Sequence, residues 1–147
     1  MPTQFEWLRR IKAVEREYAV VLAAVSHFRE VIRHDPLLLP SELQMRDCTA
    51  ASNGLEATYI VRMFAEFEAG LRQFWQSQRP TRPQMRDLLD RIAARQYVSF
   101  DSLSETHAVR ELRNGFVHGS DSELEKLSLT QCRSSLCIFF GFLPLQW

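Results

Sequence analysis

Glu56-Ala57-Thr58-Tyr59-Ile60-Val61-Arg62-Met63-Phe64-Ala65-Glu66-Phe67-Glu68-Ala69-Gly70-Leu71-Arg72 is the stretch whose reading decides the fold. Ala57, Ile60, Phe64, Phe67 and Leu71 recur at steps of three and four, and Phe74 extends the series. That period draws one apolar stripe along an α-helix, widened by Val61 and Trp75. Asn53 stands three residues before Glu56, a capping-box-like pair that predicts the helix entrance there. Arg62 with Glu66, and Glu68 with Arg72, are spaced for i,i+4 ion pairs on the flanks, worth a few tenths of a kcal/mol each.

Upstream, residues 4–34 carry Phe5, Leu8, Ile11, Tyr18, Leu22, Val25, Phe28 and Ile32 at helical spacing, a first long helix. Asp35-Pro36 stops it, because the residue before proline is pushed out of the α region. Ser41 is placed to cap a short helix opening at Pro40-Ser41-Glu42-Leu43. Downstream, Arg79-Pro80-Thr81-Arg82-Pro83 reads as a hinge, with Pro83 suited to a first helical turn. Met85, Leu88, Leu89, Ile92 and Ala93 predict a shorter helix ending near Gln96. A fourth helix is expected from Ser102 or Ser104, turning Val109, Leu112 and Phe116 inward. After a break at Gly119-Ser120-Asp121-Ser122, a last helix from Ser128 to Phe142 carries Leu129, Cys132, Leu136 and Phe139 or Phe140. Nothing repeats at solenoid periods and no linker divides the chain. The expectation is an all-α, up-and-down bundle of four to five helices forming one domain over residues 1–147.

Composition agrees with that class. The chain has 147 residues, 46% hydrophobic and 24% charged, with only five glycines and six prolines to serve a strand-and-turn architecture. Its formal net charge is zero, so any nucleic-acid binding must come from a local basic face. Three cysteines, Cys48, Cys132 and Cys137, lack metal-ligand spacing and read as packing residues. The opening residues have no signal pattern, and the longest apolar run, Leu136 to Leu145, falls short of the ~20 residues a membrane span needs. A cytoplasmic protein with no membrane contact is the plain expectation.

The chemistry is concentrated in His107-Ala108-Val109-Arg110-Glu111-Leu112-Arg113-Asn114-Gly115-Phe116-Val117-His118. Arg-x4-His alone says little: sixteen arginines and four histidines give by chance roughly 0.4 such pairs at any one spacing. The spacing does occur a second time, at Arg29 and His34, where Glu30 and Asp35 would repel a phosphodiester. Around Arg113 the context differs. Arg110, Asn114 and His118 fall at i, i+4 and i+8 as one polar stripe, with Arg113 about 100° around the helix from Asn114. A fixed cation, an amide and an imidazole so arranged are groups that phosphate chemistry uses, since an unperturbed imidazole titrates at about pH 6.5.

Here the chain resembles the HEPN superfamily. Those are small helical bundles with Arg-x(4–6)-His near the end of a late helix, commonly with a polar residue directly after the arginine. Arg113, Asn114 and His118 match, and Glu56 to Arg72 looks like the preceding long helix of such proteins. The resemblance spans about Asn53 to Leu143 and is strongest toward stand-alone prokaryotic toxin and antiphage-defence members. It implies a metal-independent endoribonuclease without a cofactor, leaving 2′,3′-cyclic phosphate and 5′-hydroxyl ends. It further implies a homodimer with a composite active site, and RNA as substrate. An antitoxin or other regulatory protein is the further partner it implies. Arg113, His118 and Asn114 would be the catalytic set, with Arg110 and Glu66 in support. Many toxin-type members continue the motif as His-x-Tyr; this chain has Ser120 there, which removes the residue through which a nucleotidyltransferase would act. The alternative is a non-catalytic HEPN-like module binding RNA, a nucleotide or a protein.

Plainer readings stand beside these. Arg113 and His118 would also suit a basic last turn complementing the helix dipole. His107 and His27 read as structural, although His107 is also a candidate substrate contact. Residues 79–95 hold five arginines against Asp87 and Asp90. With Arg86–Asp90 and Asp87–Arg91 pairs they make a solvated face, the favoured reading; unpaired, they would make a groove for a phosphate backbone. Trp7, Trp75 and Trp147 are candidates for a dimer seam wherever they reach the surface.

Overall fold

The structure is a computed structural model and describes residues 3–119 and 126–147. Five α-helices make up the fold: α1 (Gln4–His34), α2 (Met45–Gln78), α3 (Met85–Gln96), α4 (Phe100–His118) and α5 (Leu129–Phe140). A single 3-10 turn, Pro36–Leu38, follows α1, and the described residues form no β-strand. The all-α bundle expected from the periodicity is what the chain adopts.

The stripe on α2 builds the core. Ile60, Met63, Phe64, Phe67, Leu71, Phe74 and Trp75 are all buried, meeting Trp7, Ile11 and Val14 of α1 and Leu136, Phe139 and Phe140 of α5. Phe67 lies edge-on to Phe139 at 5.7 Å and to Phe140 at 6.1 Å. The helices approach closely because position 70 lacks a side chain. A Cβ there would stand 2.8 Å from the Phe140 ring and 2.9 Å from Trp7. The chain ends are tied together as well. The Gln4 amide donates to the carbonyls of Phe140, Gly141 and Leu143, the last at 2.7 Å, satisfying oxygens that the end of α5 leaves free.

Several local expectations need correction. The second long helix starts at Met45, not Asn53, because Gln44 and Asp47 form the capping box and the next two turns lie on α1. No separate helix forms at Ser41. Glu56 is therefore mid-helix, where its carboxylate accepts from the Leu129 backbone N–H (2.9 Å) and holds the start of α5. On α1 the buried apolar residues are Trp7, Ile11, Val14 and Ile32, so of the expected stripe Ile11 and Ile32 turn inward while Phe5, Leu22 and Phe28 are exposed. Arg62 pairs with Glu17 of α1 rather than with Glu66. The α4 helix begins at Phe100, capped by the Ser99 side chain, and Phe116 points outward. The last helix stops at Phe140. Trp7 and Trp75 are buried, and the half-buried Trp147 packs edge-on to Phe74 at 5.4 Å.

The α2–α3 linker positions the rest. It doubles back along α2, with Thr81 Oγ1 accepting from Trp75 Nε1 (3.0 Å) and the Pro83 carbonyl accepting from Arg72 (3.1 Å). Thus α3 starts beside Arg72 and passes Trp75, and α4 returns along α3 through His107 and Asp90. No helix among the described residues is long and apolar enough to cross a membrane.

Candidate active site on helix α4

Helix α4 opens where Ser99 Oγ accepts from the Ser102 N–H (3.2 Å), and it closes at Gly119. Gly119 has φ of 64°, a left-handed conformation that glycine takes without a Cβ clash. His118 is therefore the last helical residue, where the free carbonyls of the helix end favour a cation. Val109, Leu112 and Gly115 face the bundle, leaving Arg110, Arg113 and Asn114 half-buried along its margin.

Arg113 is held from three sides. One terminal nitrogen donates to Asn114 Oδ1 at 2.9 Å, and the other lies 3.6 Å from the Glu68 carboxylate. The guanidinium carbon sits 5.4 Å from the centre of the Phe64 ring, within reach of its electron-rich face. Glu68 also accepts from Arg72 at 2.7 and 2.8 Å, so one carboxylate joins two arginines, and Arg72 fastens the linker at Pro83. The Arg113 Nε is buried with no acceptor, but Arg29 Nε shares that condition, so the feature does not single out the site.

The residues singled out by the sequence separate into groups. Arg113 and Asn114 come together. Arg110 turns away to His107 Nδ1 (3.3 Å) and to Glu111. Because the Arg110 nitrogen can only donate, His107 carries its ring proton on Nε2, facing Asp90 at 2.7 Å. His118 is exposed and makes no hydrogen bond to a described residue, and none joins it to Arg113. Glu66 is half-buried on α2 and pairs with none of the described residues; the acidic side chain at Arg113 is Glu68. Phe64 and Glu68 lie one turn apart on one face, but the spacing alone did not say which face α4 would meet. His27 is exposed. Ser120 lies outside the described residues.

At the second Arg-x4-His pair, His34 Nε2 lies 3.1 Å from Glu30 and Arg29 donates to Ser52, so acidic neighbours occupy that end. The thiols of Cys132 and Cys137 are poor nucleophiles. Burial, followed by the nearby Glu56, pushes Cys132 up from 9.0 to about 11, and burial also raises Cys137. Among the described residues no group of histidine, cysteine and carboxylate side chains is arranged to hold a metal ion. Comparison with protein-family models, with curated proteins and with solved structures finds no match for this chain.

Chemically, the α4 margin offers a permanent cation braced by an amide and a carboxylate, and one turn beyond it a solvent-facing imidazole. A guanidinium so held presents a planar fork to an oxyanion.

Proposed function

We propose that the protein is a HEPN-type, metal-independent endoribonuclease acting as a homodimer. The observation that carries this reading is the contrast on α4: Arg113 is fixed by Asn114 and Glu68, while His118, at the end of the same helix, is exposed and bonds to none of the described residues. An imidazole acting as general base removes the proton of a ribose 2′-hydroxyl, and that oxygen attacks the adjacent phosphorus. The 5′-oxygen leaves with a proton, giving a 2′,3′-cyclic phosphate and a 5′-hydroxyl. Arg113 stabilises the charge that gathers on the phosphoryl oxygens. One chain supplies a single motif histidine, so separate base and acid histidines call for two α4 ends facing each other across a two-fold axis. A role as toxin or antiphage effector, restrained by a regulatory partner, fits this chemistry.

The test is cleavage of RNA in EDTA by the purified protein. Arg113→Ala and His118→Ala should each lower the rate by at least about a hundredfold, with unfolding midpoints close to that of the unaltered chain. Metal-dependent cleavage, or full activity in both variants, would overturn the proposal. Saturable RNA binding without cleavage would favour a non-catalytic HEPN-like module.

A further inference from the structure

The arginines around α3 behave differently from the solvated face that their spacing suggests. Neither the Arg86–Asp90 nor the Asp87–Arg91 pair forms, and Asp90 turns to His107 on α4 instead. Among the described residues, Arg79, Arg82, Arg86, Arg91 and Arg95 are exposed and have no carboxylate within salt-bridge distance. Among the described residues the linker and α3 thus set five exposed arginines without a carboxylate partner against Asp87 alone, since Asp90 is taken by His107.

Two concavities flank α3. On the α2 side a cavity of about 400 Å³ is rimmed by Arg79, Arg91 and Arg95 over Trp75, with the Arg95 guanidinium 4.9 Å from the indole centre. On the α4 side a cavity of about 430 Å³ is lined by Arg86, by Phe100, whose ring is 82% exposed, and by two acid-bound side chains, Arg110 paired with Glu111 and His107 with Asp90. Between α3 and α4, Tyr97 is 88% exposed and sits at φ of 54°, a left-handed position that glycine fills more easily. Two bare aromatic rings, Phe100 beside Arg86 and Tyr97 at the end of α3, make a surface that burial does not explain.

We propose that the face formed by the α2–α3 linker, α3 and the start of α4 binds single-stranded RNA. Phosphates lie on the unpaired arginines, and unstacked bases lie against Phe100 and Tyr97. Duplex RNA hides its base faces inside the stack, whereas a single strand offers them to aromatic side chains. The surface and the candidate active site share helix α4: Arg110 lines the α4-side cavity one turn before Asn114. The inference rests on the ribonuclease reading for the kind of nucleic acid, and it adds where the strand lies.

The experiment is fluorescence anisotropy of a short labelled RNA, single-stranded or annealed to its complement, with the His118→Ala chain so that the probe stays intact. The single strand should bind about tenfold more tightly than the duplex. Phe100→Ala and Tyr97→Gly should each weaken it by about fivefold or more; Tyr97→Gly suits the left-handed backbone, so its loss is not a folding defect. Replacing Arg91 and Arg95 together by Gln should flatten the dependence of log affinity on log salt by about 1.4. Equal affinity for the duplex, or unchanged binding in both aromatic variants, would overturn the surface even if the unaltered chain cleaves RNA. Single-strand binding that needs both rings, with no cleavage by the unaltered chain, would uphold the surface and overturn the ribonuclease reading.

Discussion

Glu68 is the residue on which the geometry of Arg113 turns. Its carboxylate lies against two arginines, closer to Arg72 than to Arg113. An ion pair still partly open to solvent, as this one is, stabilises a fold by about 1 kcal/mol, so the larger effect of removing it falls on orientation. Glu68→Gln keeps an acceptor for Arg72 but gives up the charge that steadies Arg113. Its RNA cleavage rate should drop about tenfold while the urea midpoint moves little. Glu66→Gln serves as the control, because Glu66 contacts neither arginine, and equal losses in the two variants would contradict a positioning role for Glu68.

At the scale of elements, α2 contains two glycines with opposite consequences. Gly54 has open space around it, so Gly54→Ala should raise stability by about 0.5–1 kcal/mol, through the helix propensity of alanine. Gly70 faces the Phe140 ring and Trp7 at less than van der Waals distance for any added Cβ. Overpacking there outweighs the propensity gain, and Gly70→Ala should destabilise by about 1–2 kcal/mol. Urea titrations of the two variants provide the check; a stabilising Gly70→Ala would mean that α2 and α5 pack less tightly than described. The same helix explains a misplaced boundary. Asn53 and Glu56 look like a capping box in isolation, yet burying Cys48 and bonding Arg29 to Ser52 keeps the helix going back to Met45.

For the whole molecule, the decisive question is whether two chains complete one site. Arg113 and His118 point to different surroundings within one chain, which a shared cleft would reconcile. If one composite site uses both His118 side chains, as base and as acid, a dimer with one His118→Ala protomer should be inactive. Mixing unaltered and His118→Ala chains in equal amounts, after exchange, should leave about a quarter of the unaltered rate, since about a quarter of the dimers keep both histidines. About half of the rate would mean that each chain cleaves on its own.

Helical class, the identity of the core stripe on α2 and the Arg-x4-His motif with its polar second residue were all legible in the sequence, because they depend on periods and neighbours within one helix. The stripe from Ile60 to Phe74 needed only the 3.6-residue period to declare its buried face. The company each functional side chain keeps was not legible. Glu68 rather than Glu66 meets Arg113, Asp90 leaves Arg86 for His107, and Phe100 and Tyr97 stay bare. These outcomes depend on the rotation and crossing of helices, which are set by the packing of side chains such as Phe140 and Trp7 around a missing one at Gly70. Local spacing determined what each helix could offer. Only the tertiary structure decided which groups remained unpaired, because a carboxylate or a ring is claimed by whatever the neighbouring helix brings within reach.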